Sequence, residues 1–222
     1  MSEIVLPSVE IHPGREADAS VIWLHGLGAD GHDFAPITSQ LGLPAELAVR
    51  FVFPHAPAIP VTLNGGMVMP AWYDIVSLDS RGHDEEGVAR SSRQVSALIE
   101  REIERGVPSE RIILGGFSMG GAIALHAGLR YPERLAGIMG LSCYLLRAES
   151  LDDEASATNA ETPVLLCHGS QDPMVPVQLG EAARATIEGR GNPTEWHDYP
   201  IPHSVSLPEL EDIGAWLRAR LA

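Results

Sequence analysis

Apolar positions along this chain fall into short unbroken runs separated by stretches with helical spacing. Val21 to Leu24, Val49 to Pro54, Ile112 to Leu114, Leu135 to Cys143 and Thr162 to Cys167 are almost wholly apolar, the pattern of strands buried on both faces. Ile4 to Ile11 alternates apolar and polar residues and reads as an edge strand, and Glu195 to Tyr199 reads as a short last one. Between the strands, Val88 to Arg105 carries Val95, Leu98, Ile99, Glu102 and Ile103 on one stripe and is stopped by Gly106 and Pro108. Further helices are expected over Asp33 to Leu41 with Asp33 as N-cap, after Ser118 to about Arg130, from about Val177 to Glu188, and from about Pro208 to Leu221. His55 to Asp79 has little periodicity and is expected to be a long loop. The alternation predicts an α/β fold, a mostly parallel central sheet with helices on both faces, in a single domain over residues 1–222.

In such sheets ligands bind beyond the carboxyl ends of the strands. His25, Ser118, Asp172 and the loop before the final helix all follow strands, so they are expected to converge on one edge. The run from Ile112 to His126 contains Gly116-Phe117-Ser118-Met119-Gly120, a Gly-x-Ser-x-Gly core between a strand and a helix. Flanking glycines let a sharp turn hold its central residue in a strained conformation, with the Ser118 hydroxyl at the tip. The alternative is that the glycines serve only close packing and Ser118 is a buried hydroxyl, so partners must decide.

A serine hydroxyl becomes a nucleophile when an imidazole takes its proton and an anion steadies that imidazole. Asp172 and His203, each after a strand, follow Ser118 in the order nucleophile, acid, base. His197 and Asp198 lie within a strand, His168 suits a loop hydrogen bond, and His126 sits inside a helix. His12, His32, His55 and His83 have no partner at a recognisable spacing. The oxyanion needs two donors: the backbone N–H of Met119 is one, and Leu27 in the glycine-rich loop His25-Gly26-Leu27-Gly28 is the natural second. That loop lacks the lysine and the spacing of a phosphate-binding loop.

These residues resemble the phospholipase/carboxylesterase family of serine hydrolases, which includes acyl-protein thioesterases and small bacterial carboxylesterases. The resemblance rests on His25-Gly26-Leu27-Gly28, Pro70-Ala71-Trp72-Tyr73-Asp74, Gly116 to Gly121, His168-Gly169-Ser170-Gln171-Asp172 and His203-Ser204-Val205. It implies the α/β-hydrolase fold, a triad of Ser118, Asp172 and His203, and hydrolysis of carboxylic esters or thioesters with no metal and no cofactor. Eukaryotic thioesterase relatives usually have Gln after the nucleophile, where this chain has Met119, and substrate class is therefore open. The leading expectation is a carboxylesterase for short to medium acyl chains. An acyl-protein thioesterase or a lysophospholipase is the alternative within the class, and a non-catalytic binder of a hydrophobic ligand is the alternative outside it.

Composition narrows the partners. A net charge of −15 opposes phosphate backbones and anionic lipid, so nucleic acid is not an expected partner. No apolar run has membrane-spanning length, so no stable membrane insertion is expected. Met1-Ser2-Glu3-Ile4 does not read as a signal peptide, and Cys143 and Cys167 sit in apolar strands, which together suggest a reduced cytoplasmic protein. No His-x-x-x-His with a nearby Glu and no Cys-x-x-Cys suggests a metal site. The expected partner is a small-molecule ester or thioester, with room for a weak homodimer. Leu63, Met67, Met69 and Trp72 in the long loop, with Leu145 and Leu146 at a strand end, are expected to wall the acyl pocket. The acidic cluster at Glu149 to Glu154 is expected to be a solvated loop.

Overall fold

Trp23 and Ile22 are neighbours in one strand yet belong to separate apolar clusters, because alternate residues of a strand point to opposite faces of its sheet. The computed structural model describes residues 5–76 and 84–222. In chain order its strands are β1 (Ser8–Ile11), β2 (Ala19–Leu24), β3 (Val49–Pro54), β4 (Ala58–Val61), β5 (Met67–Pro70), β6 (Ile112–Phe117), β7 (Gly137–Leu141), β8 (Val164–Gly169) and β9 (Thr194–Tyr199). The α-helices are α1 (Glu85–Glu104), α2 (Met119–Arg130), α3 (Leu151–Glu154), α4 (Val177–Gly189) and α5 (Leu207–Leu221). Seven strands form one sheet in the order β1-β3-β2-β6-β7-β8-β9, in which only the β1–β3 pairing is antiparallel.

One face of the sheet packs residues of α1, α2 and α4, and the other packs α5, so both faces are covered. The central strands β2, β6, β7 and β8 are buried along almost their whole length. That double burial is why their sequences are continuous apolar runs rather than alternating ones. Glu102, which lies on the apolar stripe of α1, is fully buried and bonded to Arg50 Nη1 at 2.7 Å, Arg105 Nη1 at 2.9 Å and Ser20 Oγ at 3.1 Å. A carboxylate in the core persists there because its lone pairs are taken by charged and hydroxyl donors.

Three elements differ from the sequence reading. Asp33 to Leu41 is a 3-10 helix over Ala35–Gln40, not an α-helix; Phe34, not Asp33, is its N-cap residue, and no side chain caps it. Only six residues separate Phe34 from Leu41, and Gly42 at φ 58° turns the chain out. The end of that segment is instead held by Arg218, whose Nη1 donates to Leu41 O at 3.2 Å and to Gly42 O at 2.9 Å. The expected loop after His55 contains an antiparallel hairpin, β4 with β5, turned by Gly65 and Gly66 at φ 67° and 80°. Asn64-Gly65 is a strong hairpin signal in the sequence. Residues 77–79 of that expected loop, and His83, lie outside the described residues. The acidic cluster is not a solvated loop throughout: Leu151 is buried, α3 forms there, and Glu154 accepts from Arg130 Nε at 2.7 Å and Arg147 Nη2 at 3.0 Å.

α5 opens with a capping box in which the Ser206 and Glu209 side chains accept each other's backbone N–H at 3.4 Å. Glu209 is fully buried and its Oε1 has no partner among the described residues. Burial pushes its carboxyl up from 4.5 to about 7; the Ser206 amide opposes this and Asp212 adds to it. Folding therefore takes up a proton here between the two values, so stability falls as pH rises from 4.5 through about 7. Glu209→Gln is neutral at every pH and should lack that slope. Its stability relative to the parent chain is expected to rise by about 2–3 kcal/mol from pH 5 to pH 8. Urea titrations at both pH values check this, and an unchanged difference would show that Glu209 does not titrate with folding.

Candidate active site

At the carboxyl end of β6 the chain reverses into α2 through Ser118, which holds φ 55° and ψ −122°. This is a strained geometry for a residue with a Cβ, sustained by close packing on either side. A Cβ at Gly116 would lie 2.5 Å from the Gly120 carbonyl carbon, and one at Gly120 would lie 2.5 Å from the carbonyl oxygens of Leu24 and His25. Glycine at both positions lets α2 begin directly against β6 and β2. Ser118 N–H is tied to Leu141 O of β7 at 2.8 Å.

Asp172 stands in the loop after β8 and His203 in the loop after β9, on the same edge of the sheet. The Ser118 hydroxyl meets His203 Nε2 at 2.9 Å, and His203 Nδ1 meets Asp172 Oδ2 at 2.6 Å. A carboxylate only accepts, so Nδ1 carries the proton and Nε2 is left to accept from the serine. The second carboxylate oxygen, Oδ1, accepts the N–H groups of Met174 at 2.8 Å and Val175 at 2.9 Å. The Asp172 side chain is fully buried while that of His203 is about one-fifth exposed, at 19%. The imidazole also packs on Phe117, with ring centroids 4.7 Å apart. Ser118, Asp172 and His203, expected to converge on one sheet edge, form one hydrogen-bonded chain.

Leu27 lies in the loop after β2. Among the described residues neither its N–H nor that of Met119 has a hydrogen-bond partner. The first N–H groups of a helix have no partner within it, and α2 starts at Met119. A Cβ at Gly26 would stand 3.5 Å from Ser118 Cβ, so this loop lies directly against the serine.

The residues expected to wall the acyl pocket divide between the core, the hairpin and a separate cavity. Trp72 and Leu146 are fully buried, so neither offers surface to a ligand; this corrects both assignments. The indole N–H of Trp72 donates to His25 O at 2.9 Å, its carbonyl accepts from Ser91 Oγ, and it belongs to the core. Leu63 and Met67, and the half-buried Met69, lie on the hairpin and its turn. A cavity of about 520 Å³ is lined by none of those five residues but does include Leu145, with Ile75, Tyr144, Met174, Val175 and Leu179. Its wall includes Pro173 to Val175, the residues that immediately follow Asp172. Met174 and Val175 are not among the residues expected from the sequence to wall a pocket, although their place just after Asp172 was a usable signal.

Among the described residues, other histidines are engaged away from this hydrogen-bonded chain. His168 Nε2 donates to Val175 O at 2.9 Å, a loop hydrogen bond as expected. His126 is buried in α2, and burial, reinforced by Arg130, pushes its pKa down to about 4. Burial pushes both cysteine thiols up, which leaves them inert as nucleophiles. Asp30, His32 and His55 bring possible ligand atoms within 4.8 Å of one another. This proximity was not legible in their spacing. They fit a metal poorly, because His55 Nδ1 already accepts Gly31 N–H at 3.1 Å, which leaves the proton on its other nitrogen, and Asp30 Oδ1 accepts from His32 N at 2.7 Å.

The chain is similar to known proteins along nearly its whole length. A family model described as Phospholipase/Carboxylesterase matches residues 7–221. An acyl-protein thioesterase 1 from Gibberella zeae is 39% identical, covering 100% of this chain and 96% of that protein. An acyl-protein thioesterase 1 from Schizosaccharomyces pombe is 45% identical over 80% of this chain and 79% of that one. Among solved structures, Arabidopsis thaliana SOBER1 superposes with a TM-score of 0.87 at 34% identity, covering 92% of this chain and 99% of that chain. Among the described residues, no helix is long and apolar enough to cross a membrane.

Proposed function

Since this chain belongs to the phospholipase/carboxylesterase family and is an ester-hydrolysing serine hydrolase, we propose that Ser118 is its nucleophile, His203 its general base and acid, and Asp172 the orienting carboxylate. The observation that carries this reading is the continuous chain from Ser118 Oγ through His203 to Asp172 at 2.9 and 2.6 Å. Ser118 Oγ attacks the acyl carbonyl carbon and its proton passes to His203 Nε2. The carbonyl oxygen becomes an oxyanion held by the N–H groups of Leu27 and Met119. Collapse of the tetrahedral intermediate returns the proton from Nε2 to the departing alcohol or thiol and leaves an ester on Ser118. Water, deprotonated by the same nitrogen, then attacks the acyl carbon, and as the bond to Ser118 Oγ breaks Nε2 returns its proton to that oxygen, releasing the carboxylic acid and restoring the serine. Every proton moves between Ser118, His203, water and the leaving group.

The substrates on this reading are carboxylic esters of short to medium acyl chains, and also thioesters. The thioester reading is favoured by similarity over the whole chain to a protein named acyl-protein thioesterase 1. A fluorophosphonate should label folded protein at one site, on Ser118; absence of an adduct would favour a ligand-binding protein without turnover. The acyl chain occupies the cavity beside Asp172, with Leu145 in its wall. Each buried methylene contributes about 0.8 kcal/mol, so kcat/KM should climb a few-fold per carbon until the cavity is filled. Leu145→Ala is expected to flatten that climb, lowering kcat/KM for the longest good substrate by about 10-fold while sparing the shortest ester. Rates over a ladder of acyl lengths, as esters and as thioesters, check this, and equal proportional loss at every length would remove Leu145 from the acyl site.

A further inference from the structure

The peptide unit joining Gly26 to Leu27 carries both the Gly26 carbonyl and the Leu27 N–H. In a planar trans peptide these point in opposite directions, so whatever fixes the carbonyl also aims the N–H. His25 Nδ1 lies 2.7 Å from Gly26 O. A carbonyl can only accept, so Nδ1 bears the proton. Across the ring, Nε2 accepts the Ala56 N–H at 3.0 Å and therefore bears a lone pair. The two contacts agree on one neutral tautomer, and an imidazolium would set a second N–H against the Ala56 amide.

The surroundings hold that arrangement in place. His25 is 1% exposed. Burial lowers its pKa against the pull of the Gly26 carbonyl, which favours the neutral ring. Trp72 Nε1 donates to His25 O at 2.9 Å, and Gly28 N–H donates to Pro70 O at 2.9 Å, so the loop is anchored on both sides of the peptide. That peptide lies against the serine, because a Cβ at Gly26 would meet the Phe117 ring at 3.4 Å and Ser118 Cβ at 3.5 Å.

We propose that His25, fixed in its Nδ1–H tautomer by the Ala56 amide, is a positioning residue that aims the Leu27 N–H at the oxyanion formed on attack by Ser118. The proposal rests on the reading of Ser118 and Leu27 given above. An oxyanion exists only after attack, so the contribution falls on kcat rather than on substrate binding. His25→Ala should lower kcat about 10- to 100-fold, below the full loss of an oxyanion donor, and leave KM within about 3-fold. It should also weaken a trifluoromethyl ketone, whose adduct with Ser118 carries an oxyanion, by the same factor as kcat/KM. His25→Asn, whose amide NH2 can reach Gly26 O, should recover most of the loss, whereas His25→Gln, reaching only toward Ala56, should not.

Nitrogen-15 NMR of the unmodified protein reads the tautomer directly, and a protonated Nδ1 with an unprotonated Nε2 is the expected result. This decides the matter if the variants do not fold. The proposal is overturned by the opposite tautomer, by folded His25→Ala with unchanged kcat, or by losses in kcat that the ketone inhibitor does not share. Ser118→Ala serves as the control: if it retains turnover, the reading of Ser118 itself is wrong. If it is inactive while His25→Ala keeps its kcat, only the present proposal is lost.

Discussion

Ser118→Ala should fold as the parent protein does and lose at least about 10³-fold in kcat/KM for any ester. The side chain that leaves is one hydroxyl, and the strained backbone at 118 is anchored by Ser118 N–H to Leu141 O and by the packing of Gly116 against Gly120, none of which involves Oγ. Circular dichroism should therefore be unchanged. With the covalent route gone, the donors at Leu27 and Met119 remain but have no attacking atom beside them. Retention of more than about one per cent of kcat/KM in folded protein would reject Ser118 as the nucleophile.

Asp172→Asn is expected to cost about 10⁴-fold in kcat while altering KM little. The reason lies in which atoms surround the carboxylate. Oδ1 accepts the Met174 and Val175 N–H groups, so the amide oxygen of asparagine must occupy that position and its NH2 must face His203 Nδ1. An NH2 donates, which obliges Nδ1 to carry a lone pair and moves the imidazole proton to Nε2. That nitrogen would then donate to Ser118 Oγ and could no longer take its proton. Steady-state kinetics over pH 6 to 9 test this. A loss below about 10-fold would mean that Asp172 does not set the tautomer of His203.

Much of this site was legible because its chemistry demands local rules. A serine between a strand and a helix needs glycines where backbones approach, and Gly116 and Gly120 occupy those places. The strands were legible because burial on both faces leaves continuous apolar runs, and placing Asp172 and His203 after strands then put them on one edge. What escaped is what tertiary packing decides. Trp72 in a loop could have been an open wall or a core residue; its indole N–H finds the His25 carbonyl 47 positions away, and no local pattern encodes that pairing. The cavity is likewise assembled from Ile75, Leu145, Met174 and Leu179, which share no period. The 3-10 turn over Ala35–Gln40 shows spacing overruled by length, since six residues ending at a left-handed glycine leave little of an α-helix to form.

The positive φ of Ser118 also sets folding against chemistry at one position. A residue bearing a Cβ at φ 55° stores roughly 1–3 kcal/mol that glycine would release. The difference in melting temperature between Ser118→Gly and Ser118→Ala measures that slope. On the proposed mechanism a serine is required at this position for turnover, against a folding preference that runs the other way. A copy relieved of its catalytic duty could become more robust on the first step it takes away from chemistry, keeping the sheet, the cavity and the ligand while losing the reaction.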